Sequence, residues 1–443
     1  MKTAPVYALS KKREFASALF LHPLGGPLAY LVYALLIPLV YMSFTGNGIG
    51  SIPHAVLNVS TLTTMLLTIF GYVVGALVGG ARLTRRQVVP STVRSDLEGS
   101  DANVAHTTSN FGRGVLGLVL LAKLYQLSVD GLVSSSIYGS NQLDYTTTTT
   151  IAIAGEALVA VGCILVMYGN TVKFSRPLLP LDWFLLLAIV AISLVGLGSR
   201  GEVISPILLF LWFRLRSGKK IRVGFLALGT ATVAVVFLAI AQFRSQISSA
   251  VVYPFLQTLL WQTSSPALLT SNVAQLVPQS VGFYGGSTYL EAVKSMLPGP
   301  VARELFDGVQ GTGTFVYRDL IGFTDRGQGW GFSLPTEAYL NFGQLGVFIV
   351  ALLLGLLFSR AYMRAALNFR PNSLSSYVYP LLLSYLPYGL RSDALGQLKS
   401  IVYPLIIIWL VIVIARTLVN ARSARLAVSH LSRIGGTRMW GHG

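Results

Sequence analysis

The stretch GQGWGFSLPTEAYLNFGQLG, residues 327–346, sets Ser333, Glu337, Asn341 and Gln344 among glycines and aromatics, directly before the apolar run VFIVALLLGLLFSR. An uncompensated carboxylate at the mouth of a membrane helix is costly, so Glu337 requires a partner or a chemical role. Two readings stand side by side. Glu337 neutralises a nearby arginine, the commoner fate of a buried carboxylate, or it takes a proton from a substrate hydroxyl. Ser333 has the type of an N-cap, with Pro335 in the first turn, where its missing N–H does no harm. Glu337, Asn341 and Gln344 then follow at i, i+4 and i+7, one face of a helix that must point into a bundle or a wet cavity.

Six arginines form a second constellation: Arg200, Arg244, Arg303, Arg318, Arg326 and Arg391. Three of them, in GLGSRGEV, AQFRSQ and YGLRSDALGQLKS, lie at the ends of apolar runs. For any one alone, snorkelling to lipid headgroups is the simpler account. Together they match a lipid-linked phosphate or pyrophosphate, whose oxygens a guanidinium fork grips in pairs. In GSRGE, Gly198 and Gly201 flank Ser199 and Arg200. Such glycines either let backbone N–H groups approach an anion at the start of the next helix or merely close a hairpin with an Arg200–Glu202 surface pair. The local residues weigh equally for both.

The elements that carry these residues follow from composition. Of 443 residues, 53% are hydrophobic and 11% charged, with mean hydropathy +0.65; soluble chains carry about 25% charged residues. Apolar runs of bilayer length recur, at about 24–44, 60–81, 114–130, 149–169, 182–198, 202–214, 223–242, 335–358, 374–390 and 400–416. The fold expected is an all-α polytopic membrane protein with about ten spans. It divides into spans one to seven (1–242), an external cap (243–334), and spans eight to ten with a basic tail (335–443). Within the cap, PALLTSNVAQLV and STYLEAVKSMLP read as short amphipathic helices lying along the membrane surface.

Charge placement orients the chain. With the N-terminus cytoplasmic, 24 of the 33 Lys and Arg residues fall on the cytoplasmic side and 8 outside, with Lys123 inside a span; the acidic residues run the other way. That asymmetry follows the positive-inside rule. The net charge of +17 is thus met by anionic membrane lipid and requires no nucleic acid. The single cysteine, Cys163, excludes a disulfide frame and a cysteine metal site. The first apolar run is too long for a signal h-region and stays as a helix. No close acidic pair occurs outside, no histidine lies within 243–334, and no phosphate-binding glycine loop is present. The chemistry expected is metal-free, without cofactor, on a substrate that arrives activated.

Three passages taken in order resemble the O-antigen polymerase (Wzy-type) family: GLGSRGEVISPILLFLW, YGGSTYLEAVKSMLPGPV and GFSLPTEAYLNFGQLGVFIVALLLGLL. RSDALGQLKSIVYPLIII is similar to the family's arginine before its last helix. The resemblance implies a GT-C-like architecture in the bacterial inner membrane, with both termini cytoplasmic. It implies a glycosyltransferase that polymerises oligosaccharide repeat units, with donor and acceptor both linked to undecaprenyl pyrophosphate. A chain-length regulator and a repeat-unit flippase are the protein partners it implies. On this reading Arg200, Arg244 and Arg391 hold the pyrophosphate, with Arg303, Arg318 and Arg326 beside them. Glu337, or failing it Asp325 or Asp393, positions or deprotonates the attacking hydroxyl. Tyr284, Tyr289, Tyr339, Asn341 and Ser199 complete the substrate site. Two rivals share parts of the pattern. An O-antigen ligase resembles it in architecture but carries a histidine in the large external loop, and a transporter of lipid-linked sugars carries repeats and broken helices at the midplane.

Overall fold

A computed structural model describes residues 18–45, 59–84, 99–130, 147–193, 201–219, 269–297, 332–367, 373–389 and 392–437, and single positions at 221, 224, 301, 304, 305, 316 and 320. Among these every regular element is a helix: α1 (Gly26–Thr45), α2 (Val59–Val78), α3 (Gly99–Asp130), α4 (Thr147–Phe174), α5 (Pro180–Ala191), α6 (Gly201–Arg216), α7 (Ser287–Lys294), α8 (Leu334–Tyr362), α9 (Ser375–Gly389) and α10 (Ala394–Thr437). A π-helical turn, Met363–Leu367, extends α8. Four stretches are long and apolar enough to cross a bilayer: Val59–Val78, Ala157–Phe174, Leu334–Ala366 and Ala394–Arg425. Gly26–Leu36 and Pro180–Ala191 are shorter apolar helices. The chain is therefore an integral membrane protein. The expected spans other than 223–242 overlap α1–α6 and α8–α10, with different ends; 223–242 lies outside the described residues, save position 224.

Lipid is as apolar as leucine, so membrane helices associate where small residues let backbones touch. Two pairs show this. Along α2, Gly71, Gly75 and Gly79 meet Phe348, Leu352 and Ser359 in turn, so α2 and α8 run parallel. Along α3, Ala105 meets Gly169 and Gly112 meets Gly162, so α3 and α4 run antiparallel. The α3–α4 register sets Lys123, itself buried, level with about residue 151 near the start of α4. These directions agree with alternate crossing in the order read from the sequence.

One end of the bundle is basic. Here Arg113 Nε donates to Asp182 Oδ1 at 2.7 Å, while Asn170 Nδ2 and the Leu179 N–H both donate to Asp182 Oδ2, at 2.7 and 2.8 Å. This network ties α3, α4 and α5 with the buried carboxylate fully used. At the same end Arg216 Nη1 donates to the Ala366 carbonyl in the π turn at 2.7 Å, against an aromatic cluster of Trp212, Tyr362 and Tyr379. The α3 helix begins at Gly99, well before the expected span. Its first turns, SDANVAHTTSNF, are polar and invisible to a search for apolar runs, and they are held by α10 and the end of α4.

The parallel pair gives a direct test of close approach. A Cβ at Gly355 would lie 2.1 Å from the Tyr72 carbonyl oxygen, whereas one at Gly117 meets nothing within 4 Å. Gly355→Leu is expected to destabilise the protein by about 3 kcal/mol, the upper end for over-packing. Gly117→Leu is the control, expected to leave thermal unfolding in detergent nearly unchanged.

Candidate functional site

The opposite end of the bundle holds a different kind of network, built where α7 lies over the beginnings of α8 and α10. Ser333 caps α8: its backbone is extended, its hydroxyl accepts from the Thr336 N–H at 3.3 Å, and Pro335 sits in the first turn. This start is fixed laterally by Thr270, whose hydroxyl is 2.8 Å from that of Thr336. Residues 269–277 pack with Phe332, Ala338, Tyr339, Leu340 and Val347 as a second core, separate from the main one.

One turn into α8 stands Glu337, with no exposed surface. Its Oε1 accepts from the Thr288 hydroxyl of α7 at 2.7 Å. Its Oε2 accepts from the backbone N–H of Ala394, the first residue of α10, at 2.6 Å. Asn341, a turn further on, donates from Nδ2 to Thr288 Oγ1 at 2.7 Å and to the Glu337 carbonyl at 2.8 Å. Its Oδ1 accepts the Gly286 N–H at 3.0 Å. Three helices thus converge on one carboxylate, and Asp393 closes the group by capping α10, its Oδ1 accepting from the Gly396 N–H at 2.9 Å.

The shared face expected for Glu337, Asn341 and Gln344 holds only for the first two. Gln344 is exposed, because α8 breaks at Gly343, with φ 63° and ψ −153°. That region of backbone space is essentially glycine's alone. Just before the break the Leu340 and Asn341 carbonyls accept from the Tyr284 and Gly285 N–H groups, at 3.1 and 3.0 Å. Rings fill the space the glycines leave. Phe283 lies against Gly343, and Phe342 against Gly286, whose φ is 93°.

The expected tyrosines fall here as well. Tyr339 is buried, with its hydroxyl 3.1 Å from Ser60 Oγ of α2 and its ring edge-on to Phe283. Tyr289 stacks on Phe342 with centroids 6.1 Å apart. Burial, reinforced by the Glu337 charge, pushes its phenol above the ordinary range. Tyr284 packs against the second core. By contrast Ser199, Arg200, Arg244, Arg303, Arg318, Arg326 and Arg391, and also Asp325, lie outside the described residues.

Several members of the network had not been singled out: Thr288, Gly286, and the N–H of Ala394. The signal for Thr288 was present in STYLEAVK, where a threonine falls with Glu291 and Ala292 on the buried side of a short amphipathic helix. A backbone N–H carries no side-chain signal at all.

The profile of the O-antigen polysaccharide polymerase Wzy family matches residues 54–422, more than four-fifths of the chain. The chain belongs to that family. No match is found among curated proteins or among solved structures. As a Wzy polymerase it is a membrane glycosyltransferase that polymerises lipid-linked O-antigen repeat units. The matched range contains all ten helices except α1 and the last turns of α10, and it takes in the whole Glu337 network.

In the polymerase, Gly343→Ala is expected to strain the break by about 1–3 kcal/mol, since its Cβ would also sit 3.0 Å from the Phe283 ring. Lower thermal stability together with shortened polymer is the predicted outcome, read by unfolding in detergent and by glycan gels.

Proposed function

We propose that the polymerase joins repeat units on the outer face of the bacterial inner membrane, at the end of the bundle that carries the Glu337 network. The opposite, basic end is then cytoplasmic together with both termini, as the positive-inside rule requires. The donor is the growing glycan on undecaprenyl pyrophosphate, and the acceptor is a repeat unit on the same carrier. The acceptor hydroxyl oxygen bonds to the donor's anomeric carbon. The bond from that carbon to the pyrophosphate breaks, and the leaving diphosphate takes the electron pair.

Arg200, Arg244 and Arg391 hold this diphosphate in the proposal, and Arg303, Arg318 and Arg326 extend the same basic surface. Charge that develops on the leaving oxygens is what preset guanidinium groups stabilise best. No metal or other cofactor enters this scheme. The hydroxyl proton passes to an external carboxylate, Asp325 or Asp393. Tyr284, Tyr289 and Ser199 belong to the saccharide-facing region in the proposal, while Tyr339 and Asn341, both buried and hydrogen-bonded, hold its frame. A flippase must deliver the repeat units to this face, and a chain-length regulator would act on the growing product.

One observation supports this reading above the others. Arg200 directly precedes α6 and Arg391 stands three residues before α10. The two helices start at the same end, linked through α9: Ser205 Oγ in the second turn of α6 donates to the Ser384 carbonyl of α9 at 2.9 Å, and α9 ends just before α10. Two arginines distant in sequence therefore precede two helices that both pack on α9.

Reconstitution with purified lipid-linked repeat units tests the proposal. A product ladder is expected; transfer only to lipid A core would make the protein a ligase, and no covalent product would make it a transporter. Arg200→Ala and Arg391→Ala are expected to insert normally and to lose long chains. Wild-type chain length at normal protein level would remove either arginine from the site.

A further inference from the structure

We infer that Glu337 is a positioning residue for polymerisation, and that it acts through the start of α10 and the cap helix α7 rather than on the substrate. The inference rests on the reading that Arg391 grips the diphosphate.

Each carboxylate oxygen has its own donor, Thr288 Oγ1 on one side and the Ala394 N–H on the other. The first four N–H groups of a helix have no partner within it, and a negative charge at that end is favoured by the helix dipole. Glu337 therefore supplies what the beginning of α10 lacks. The direction of the second bond is fixed as well. Thr288 Oγ1 accepts from Asn341 Nδ2, so its one proton is free to point at Glu337. A group with both oxygens engaged and no exposed surface does not meet a sugar hydroxyl. What it does is set where α10 begins, and Arg391 lies three residues ahead of that point.

Chemistry separates this role from that of a base. In Glu337→Gln the amide oxygen can accept from Ala394, while the amide nitrogen donates to Thr288 Oγ1, whose two lone pairs take two donors. Both links survive although no proton can be taken up. In Glu337→Asp the acid survives, but the side chain is shorter by one carbon, and links of 2.6 and 2.7 Å leave no slack. Thr288→Val keeps the shape and deletes the hydroxyl.

The experiment uses the full-length protein in proteoliposomes with purified lipid-linked repeat units, measuring initial rate against pH and against donor concentration. Glu337→Gln is expected to keep at least about a third of kcat/KM with an unaltered pH profile. Glu337→Asp and Thr288→Val are expected to lose about tenfold or more, chiefly as a raised donor KM, measured on protein that still folds and inserts although its thermal stability falls. An inactive Gln variant beside an active Asp variant would overturn the inference in favour of a base. So would a Thr288→Val enzyme with wild-type KM. Should Glu337→Asp fail to fold, Thr288→Val and Glu337→Gln still decide. A fully active Arg391→Ala enzyme showing the expected Glu337 series would remove the arginine's role while leaving the anchoring by Glu337 intact.

Discussion

A buried carboxylate in a membrane protein must be answered by donors, and in this polymerase the answer decides the arrangement of one whole end. Glu337 takes one donor from the cap helix and one from the beginning of the last helix. Removing either donor leaves an acceptor buried without compensation, at a cost of about 1–3 kcal/mol and more for a charged group. The three elements are therefore held as a unit. The glycines around them serve the same end: Gly343 opens α8 where the cap backbone docks, and Gly286 makes room for Phe342.

The two ends of the bundle use polar residues differently. At the basic end, Asp182 is consumed by Arg113, Asn170 and the Leu179 N–H, a network within the transmembrane helices that holds their relative heights. At the other end the polar groups join membrane helices to the cap. Membership of the Wzy family supplies the reaction, and the Glu337 network ties α7, α8 and α10 together.

Much of this was legible in the sequence because its signals are local. Apolar runs mark the spans, Ser333 and Pro335 mark the start of α8, and STYLEAVK marks a cap helix. The order of short passages carried the family, which the profile match confirms. What escaped was non-local or made of backbone. The polar first half of α3 has no hydropathy signal and is helical because other helices cover it. The exposure of Gln344 follows from one backbone angle at Gly343, which a periodic count cannot foresee. Among the described residues the partners of Glu337 are a threonine of α7 and a main-chain N–H, and neither pairing leaves a mark in the spacing of residues.

The most direct measurement is amide hydrogen exchange of the folded protein in detergent, resolved at Ala394. The N–H of a helix's first residue ordinarily exchanges fast, for want of an intrahelical acceptor. With Glu337 in place it should be protected, like the Gly396 N–H that Asp393 holds, and Glu337→Ala should release Ala394 while sparing Gly396. Fast exchange of Ala394 in the wild-type protein would contradict the account at its centre.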